Sequence, residues 1–263
     1  MKIAFCKYQG AGNDFIMIDG RDGIKSLPQD KIVRLCHRRF GIGADGLILL
    51  TNEAGYDFRM VYYNSDGNES TMCGNGGRCI AAFARLLQIP GDEYRFLGVD
   101  GPHVATFLPN GDVKLQMKDV DEVKKSDGFY FADTGSPHAV VKVDDLQNED
   151  VYQKGRELRY SDHFDKSGVN VNFVEAGKDG LHVRTYERGV ENETLSCGTG
   201  VTASVLTAAA SGWISFDSTS CLVQTPGGTL SVHFKRSGNS FCDIWLVGPA
   251  VHVFDGIFDL KDF

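Results

Sequence analysis

Asn68-Glu69-Ser70-Thr71-Met72-Cys73-Gly74-Asn75-Gly76 and Asn192-Glu193-Thr194-Leu195-Ser196-Cys197-Gly198-Thr199-Gly200 decide how this chain is to be read. The two stretches share N-E-[ST]-x-x-C-G-x-G without a gap, 124 residues apart. Self-similarity at that distance marks a duplicated unit. The segments downstream of the two copies are alike as well. Arg78 to Leu87 is Ala-rich with apolar residues at helical spacing, which predicts a helix. Val201 to Ala210 is apolar nearly all round, which predicts a buried one. Pro90-Gly91 and Ser211-Gly212 supply the expected stops. Alternating segments lie beyond each helix: Val104 to Phe107 and Val113 to Met117 in the first half, Thr229 to Phe234 and Asp243 to Val247 in the second.

The pattern predicts an α+β fold of two pseudo-symmetric domains, each a strand-rich, barrel-like sheet around one central helix. The expected boundaries are 1–117 plus 251–263 for the domain carrying Cys73, and 118–250 for the domain carrying Cys197. Glycine supports the many short connections this needs: 31 of 263 residues, about 12% against roughly 7% in ordinary usage.

A net charge of −8 argues against nucleic acid or an anionic membrane as the main partner. Ile3 to Cys6 is too short an apolar run for a signal-peptide core, and no stretch reaches the ~18 apolar residues of a membrane helix. Seven cysteines without a C-x-x-C pair argue against a disulfide framework or a zinc ribbon. The expectation is a cytoplasmic protein with reduced thiols and no metal.

Each repeated cysteine stands one residue before a Gly-x-Gly that opens a helix. A helix start leaves N–H groups unpaired and carries partial positive charge, and both lower a thiol's pKa. The same N–H groups suit a carboxylate, and glycine lets a ligand approach the backbone. Two such elements suit inversion of a stereocentre beside a carboxylate. A thiolate removes the α-proton from one face, the N–H groups stabilise the carbanion, and the opposite thiol returns a proton.

Gly41-Ile42-Gly43-Ala44-Asp45-Gly46 matches the dinucleotide pattern G-x-G-x-x-G literally. That motif needs a strand before it and a helix after it. Here helix-like Lys31 to Phe40 precedes and apolar Leu47 to Leu50 comes after, so the match is set aside. Cys73 and Cys79, six apart, fall on different helix faces and make no local metal pair.

Over nearly its whole length the sequence resembles the diaminopimelate epimerases, pyridoxal-independent enzymes of lysine and cell-wall synthesis. The resemblance is carried by Gly10 to Phe15, Tyr63 to Gly67, Met72 to Cys79, Tyr186 to Gly189, Ser196 to Gly200, Pro226 to Gly228 and Gly248 to Val251, in that order. It implies a dimer, a small-molecule substrate (diaminopimelate), no cofactor, and Cys73 and Cys197 as the acid/base pair. It implies that Gly74, Asn75, Gly198 and Thr199 hold the reacting carboxylate through their N–H groups. Asn64, Asn170 and Arg188 would bind the distal end, and Asn13 would line the pocket. Glu187 would contact substrate and, with His138, help set the cysteine pKa values.

Two positions depart from the family pattern: Gly46 stands where many members have Gln, and Ser136 where many have Asn. Each implies a substrate contact that is lost, supplied by water, or made by another residue. Two other readings are compatible with a pair of cysteines. One is a proline or hydroxyproline racemase with a similar cysteine pair; Glu187-Arg188 and Met72 to Asn75 favour the diaminopimelate reading over it. The other is a redox-switch or binding protein in which Cys73 and Cys197 form a switchable disulfide.

Overall fold

Residues 1–70, 72–164, 168–215 and 219–263 are described by a computed structural model of the chain. Thr71, inside the first copy of the repeated motif, lies outside the described residues. The chain divides into two compact units, Met1–Leu115 with Pro249–Phe263, and Gln116–Gly248.

The first unit runs β1 (Lys2–Gly10), β2 (Asn13–Asp19), α1 (Gln29–Cys36), β3 (Gly46–Thr51) and β4 (Phe58–Asn64). It continues with α2 (Gly74–Leu86), β5 (Glu93–Gly98), β6 (Gly101–Phe107) and β7 (Val113–Gln116). The second unit runs β8 (Lys124–Lys125), β9 (Tyr130–Asp133), β10 (Pro137–Lys142), α3 (Val151–Arg159), β11 (Asn170–Ala176) and β12 (Leu181–Glu187). It closes with β13 (Asn192–Thr194), α4 (Gly198–Ser211), β14 (Ser220–Thr225), β15 (Gly228–Ser237) and β16 (Ser240–Gly248). The last strand, β17 (Val251–Asp259), pairs antiparallel with β1 and so belongs to the first unit.

The duplication is written in the strand pairings. From β1 to β7 successive neighbours pair antiparallel, parallel, antiparallel, parallel, antiparallel, antiparallel. From β9 through β10, β11, β12, β14 and β15 to β16 the order of signs is the same. Helices α1 and α3 make the first parallel crossover of each unit, α2 and α4 the second, as parallel neighbours require.

Within its unit α2 packs against β1, β2, β3, β4, β6 and β17, and α4 against β9, β10, β11, β12, β14, β15 and β16. Each helix is therefore enclosed by its own strands. That explains why Leu47-Ile48-Leu49-Leu50 reads as a continuous apolar run. Leu47 and Leu49 join the cluster of Ile32 and Leu35 on α1, while Ile48 faces Gly76 of α2. Full burial of such a side chain contributes about 1.5–3 kcal/mol. The close approach also fixes a glycine: a Cβ at Gly200 would lie 2.3 Å from Asn172 Oδ1.

The two helices end differently. Gly212 closes α4 in the left-handed region (φ 72°), as the Ser211-Gly212 signal implied. The first ends within one residue of the predicted Leu87, ahead of Pro90-Gly91. α2 ends at Leu86, and the chain turns at Gln88, a non-glycine residue at φ 57°. The order around the G-x-G-x-x-G match is helix then strand, as expected, with α1 before it and β3 after.

Candidate active site

Cys73 and Cys197 are the N-cap residues of α2 and α4, both with extended backbone. Neither thiol makes the capping hydrogen bond of an N-cap side chain to its own helix, and neither first turn holds an acidic residue. Both positions therefore keep the positive end of the helix for something other than a cap. Gly74, Asn75 and Gly198 are buried directly behind the cysteines.

In the first unit the side chains form a chain from solvent to thiol. Asp45 accepts from Arg38 at 2.6 Å and from Asn13 Nδ2 at 2.8 Å. That turns Asn13 Oδ1 toward the site, where it accepts from Cys73 Sγ and from Asn75 Nδ2, each at 3.3 Å. Asp14, next to Asn13, is gripped by buried Lys7 at 2.7 Å and by Arg38 at 2.8 Å. Burial pushes the Asp14 carboxyl up, but the hydrogen bonds and charges of Arg38 and Lys7 reverse this and hold it at about 2.

Arg78 lies fully buried inside α2. Its guanidinium donates to Gly74 O at 3.2 Å, Asn75 Oδ1 at 2.9 Å and Pro249 O at 3.4 Å. All three are neutral acceptors. Burial pulls its pKa down, and the charges of Cys79, Cys73 and Asp112 pull it up. Cys79, one turn into the helix, is fully buried, and desolvation pushes its thiol up to about 12, which leaves it inert.

Gly46 opens β3 directly opposite Asn64 at the end of β4. A Cβ at Gly46 would fall 2.5 Å from the Tyr62 ring and 2.6 Å from Tyr63 O, so the space of the family's usual Gln is filled. Tyr62, on the same strand face as Asn64, donates its hydroxyl to Asn64 Oδ1 at 2.7 Å. Its ring packs edge-on to Phe15.

In the second unit the network centres on His138. The Asn172 amide donates to Ala139 O and to His138 Nδ1, both at 3.1 Å, and accepts from Thr185 Oγ1 at 2.9 Å. Nδ1 is thus the acceptor and the ring proton sits on Nε2, which donates to Thr199 Oγ1 at 2.9 Å. Thr199 Oγ1 lies 3.5 Å from Cys197 Sγ. Burial lowers the His138 pKa to about 3, helped by the charge of Arg188, so the ring is neutral at physiological pH. Glu187 accepts from Thr194 Oγ1 at 2.9 Å.

Ser136 has partners of its own. Asn170 Nδ2 donates to Ser136 Oγ at 3.0 Å and to Pro137 O at 3.1 Å, while Asn170 Oδ1 accepts from the Arg188 backbone N–H at 2.9 Å. The Arg188 guanidinium reaches Ser136 Oγ at 3.4 Å. Asn170 thus holds the Arg188 backbone and Ser136 meets its guanidinium. Within the first unit Cys73, Asn75 and Asn13 gather, with Gly46, Tyr62 and Asn64 grouped across β3 and β4; within the second, Cys197, Thr199 and His138 form one chain and Ser136, Asn170 and Arg188 another. Sequence reasoning missed Arg78, Tyr62 and Asn172. Only the buried-helix position of Arg78 carried a local signal; Tyr62 and Asn172 become polar partners only through strand register.

The enclosed-helix duplication is shared with solved structures. A phenazine biosynthesis protein of the PhzF family from Bacillus anthracis superposes with a TM-score of 0.75 over 98% of this chain and 99% of that one, at 14% identity. A hydroxyproline epimerase from Agrobacterium vitis, solved with bound trans-4-hydroxy-L-proline, gives 0.70 over 97% and 92%, at 16% identity. The chain therefore shares its fold with the PhzF-family protein and the hydroxyproline epimerase.

The sequence narrows that class. The model of the diaminopimelate epimerase family matches residues 5–128 and again 130–253. A diaminopimelate epimerase from Flavobacterium psychrophilum is 51% identical over 253 residues, covering 95% of this chain and 97% of the relative. One from Chlorobaculum tepidum is 42% identical over 264 residues, covering 95% and 99%. The chain belongs to the diaminopimelate epimerase family.

Proposed function

We propose that this chain interconverts LL- and meso-2,6-diaminopimelate without a cofactor, supplying lysine and peptidoglycan synthesis, with Cys73 and Cys197 as its two acid/base groups. The observation that carries the reading is that both cysteines occupy the N-cap of an enclosed helix, each directly before a buried glycine. A substrate α-carboxylate at such starts accepts from the N–H groups of Gly74, Asn75, Gly198 and Thr199 and is stabilised as the α-carbon becomes a carbanion. One thiolate removes the α-proton while the other thiol donates to the opposite face, and the roles exchange in the reverse direction.

His138 and Thr199 tune Cys197 through the Nε2–H to Oγ1 chain, and Glu187 contributes on the same unit. Asn13 orients Cys73. Arg188, steered by Asn170 and Ser136, and Asn64 read the distal end, where a planar guanidinium suits a carboxylate. Proline offers no distal carboxylate, so these residues favour diaminopimelate over a proline-type substrate.

The working form is proposed as a cytoplasmic homodimer. Val251, Val253, Phe254 and Ile257 of β17 are exposed, which supports burial against a second copy. Among the described residues no helix is long and apolar enough to cross a membrane.

The test is incubation of reduced protein with LL-diaminopimelate in D₂O without added cofactor. Deuterium is expected at the α-position of wild type and is abolished in Cys73→Ala and Cys197→Ala. Exchange into proline but not diaminopimelate would overturn the substrate; no exchange into any amino acid would overturn the chemistry.

A further inference from the structure

We infer that Tyr62 is a positioning residue for substrate selection: its hydroxyl fixes the rotation of the Asn64 amide so that the Asn64 N–H₂ group faces the ligand. The inference rests on the epimerase reading above and adds to it a residue and a selection rule.

Three observations lead there. Gly46 offers no side chain, and a Cβ there would collide with the Tyr62 ring, so the two residues are fitted to each other. Register places Gly46 opposite Asn64 and Ile48 opposite Tyr62, which puts Tyr62, Gly46 and Asn64 on one face of the β3–β4 pair. The Tyr62 hydroxyl then meets Asn64 Oδ1 at 2.7 Å. An amide oxygen carries no proton, so the phenol is the donor in that bond; the amide oxygen is committed and the amide hydrogens are directed away from it.

An amide held this way presents only donors. It recognises an acceptor-only group such as a carboxylate and disfavours a carboxamide or ammonium at the same place. An unrestrained amide rotates and accommodates either, so the rotation carries the selectivity. The second unit has the same arrangement by other means. Asn170, which opens β11 as Gly46 opens β3, uses its own side chain to hold the Arg188 backbone N–H and to donate to Ser136 Oγ, which the guanidinium reaches. In the first unit Tyr62 holds Asn64 from the neighbouring position on β4.

The test compares wild type with Tyr62→Phe, which keeps the ring against Gly46 and Phe15 and removes only the hydroxyl. With LL-diaminopimelate the variant is expected to raise KM about 10-fold and leave kcat within about twofold, the size of one hydrogen bond lost from ground-state and transition-state binding alike. Preference for diaminopimelate over its distal carboxamide is expected to fall by about the same factor. Because Tyr62 acts through Asn64, adding Tyr62→Phe to Asn64→Ala is expected to change nothing further.

Unchanged KM and unchanged preference in Tyr62→Phe, or a full additional loss in the double variant, would overturn the inference. Side-chain amide resonances of Asn64 give a reading independent of turnover: restricted and well dispersed in wild type, averaged in Tyr62→Phe. Wild type inactive on diaminopimelate would refute the epimerase reading, while the amide resonances still decide the role of Tyr62.

Discussion

His138 ties the stability of the second unit to acid in a way that one substitution isolates. Its ring is fully buried, its Nδ1 accepts from Asn172 and its Nε2–H donates to Thr199. Burial, with Arg188 nearby, lowers its pKa from the ordinary 6.5 to about 3. Between those values the unfolded chain binds a proton that the folded ring refuses. Stability is therefore complete above about pH 6.5 and falls as pH drops through that window. One pKa unit corresponds to about 1.4 kcal/mol, so the loss is about 2 kcal/mol at pH 5, about 4 kcal/mol at pH 3, and levels off at about 5 kcal/mol below that.

His138→Gln keeps a donor toward Thr199 and cannot be protonated, so it lacks this contribution. The chain has two tryptophans, Trp213 and Trp245, and both lie in the unit that holds His138. Their fluorescence during urea unfolding therefore reports that unit. Between pH 7 and pH 5 wild type is expected to lose about 2 kcal/mol more than His138→Gln, other acid-sensitive groups cancelling in the difference. Parallel losses, or an imidazole resonance of His138 titrating near pH 6.5 in the folded protein, would refute the reasoning.

Thr199→Val removes the hydroxyl between His138 and Cys197 without changing side-chain volume greatly. The midpoint of pH-dependent alkylation of Cys197 is expected to move up, with that of Cys73 unchanged and kcat down about 10-fold; an unmoved Cys197 midpoint would refute the chain. Arg78→Lys retains the buried charge but cannot serve Gly74 O, Asn75 Oδ1 and Pro249 O together. It is expected to destabilise by about 2–4 kcal/mol, and an unchanged thermal midpoint would contradict that role.

What the sequence made legible was local or repeated. The starts of α2 and α4 were readable because Cys-Gly-x-Gly occurs twice and each copy runs into an Ala-rich stretch. The reversed context of G-x-G-x-x-G was readable because helical and strand periodicities flank it. What stayed hidden depends on register between distant strands. Asn172 meets His138, 34 residues away, because β10 and β11 run parallel. Tyr62 looks like one more aromatic in an alternating strand until the β3–β4 register sets its hydroxyl beside Asn64 and its ring over Gly46. The left-handed turn at Gln88 just after α2 stayed hidden, because a glutamine side chain does not advertise that conformation.

The cysteine N-caps of α2 and α4 set two demands on the same atoms. Serine at an N-cap satisfies a helix N–H and strengthens a helix by about 1 kcal/mol over a residue that does not cap. At positions 73 and 197 that gain would come with a hydroxyl too weakly acidic to exchange an α-proton near neutral pH. Selection for thermal robustness alone would therefore drift toward the two substitutions that silence the proposed chemistry. On the proposed reading the cysteines mark places where this protein is held below its attainable stability, and the substrate carboxylate would take the role that a capping side chain gives up.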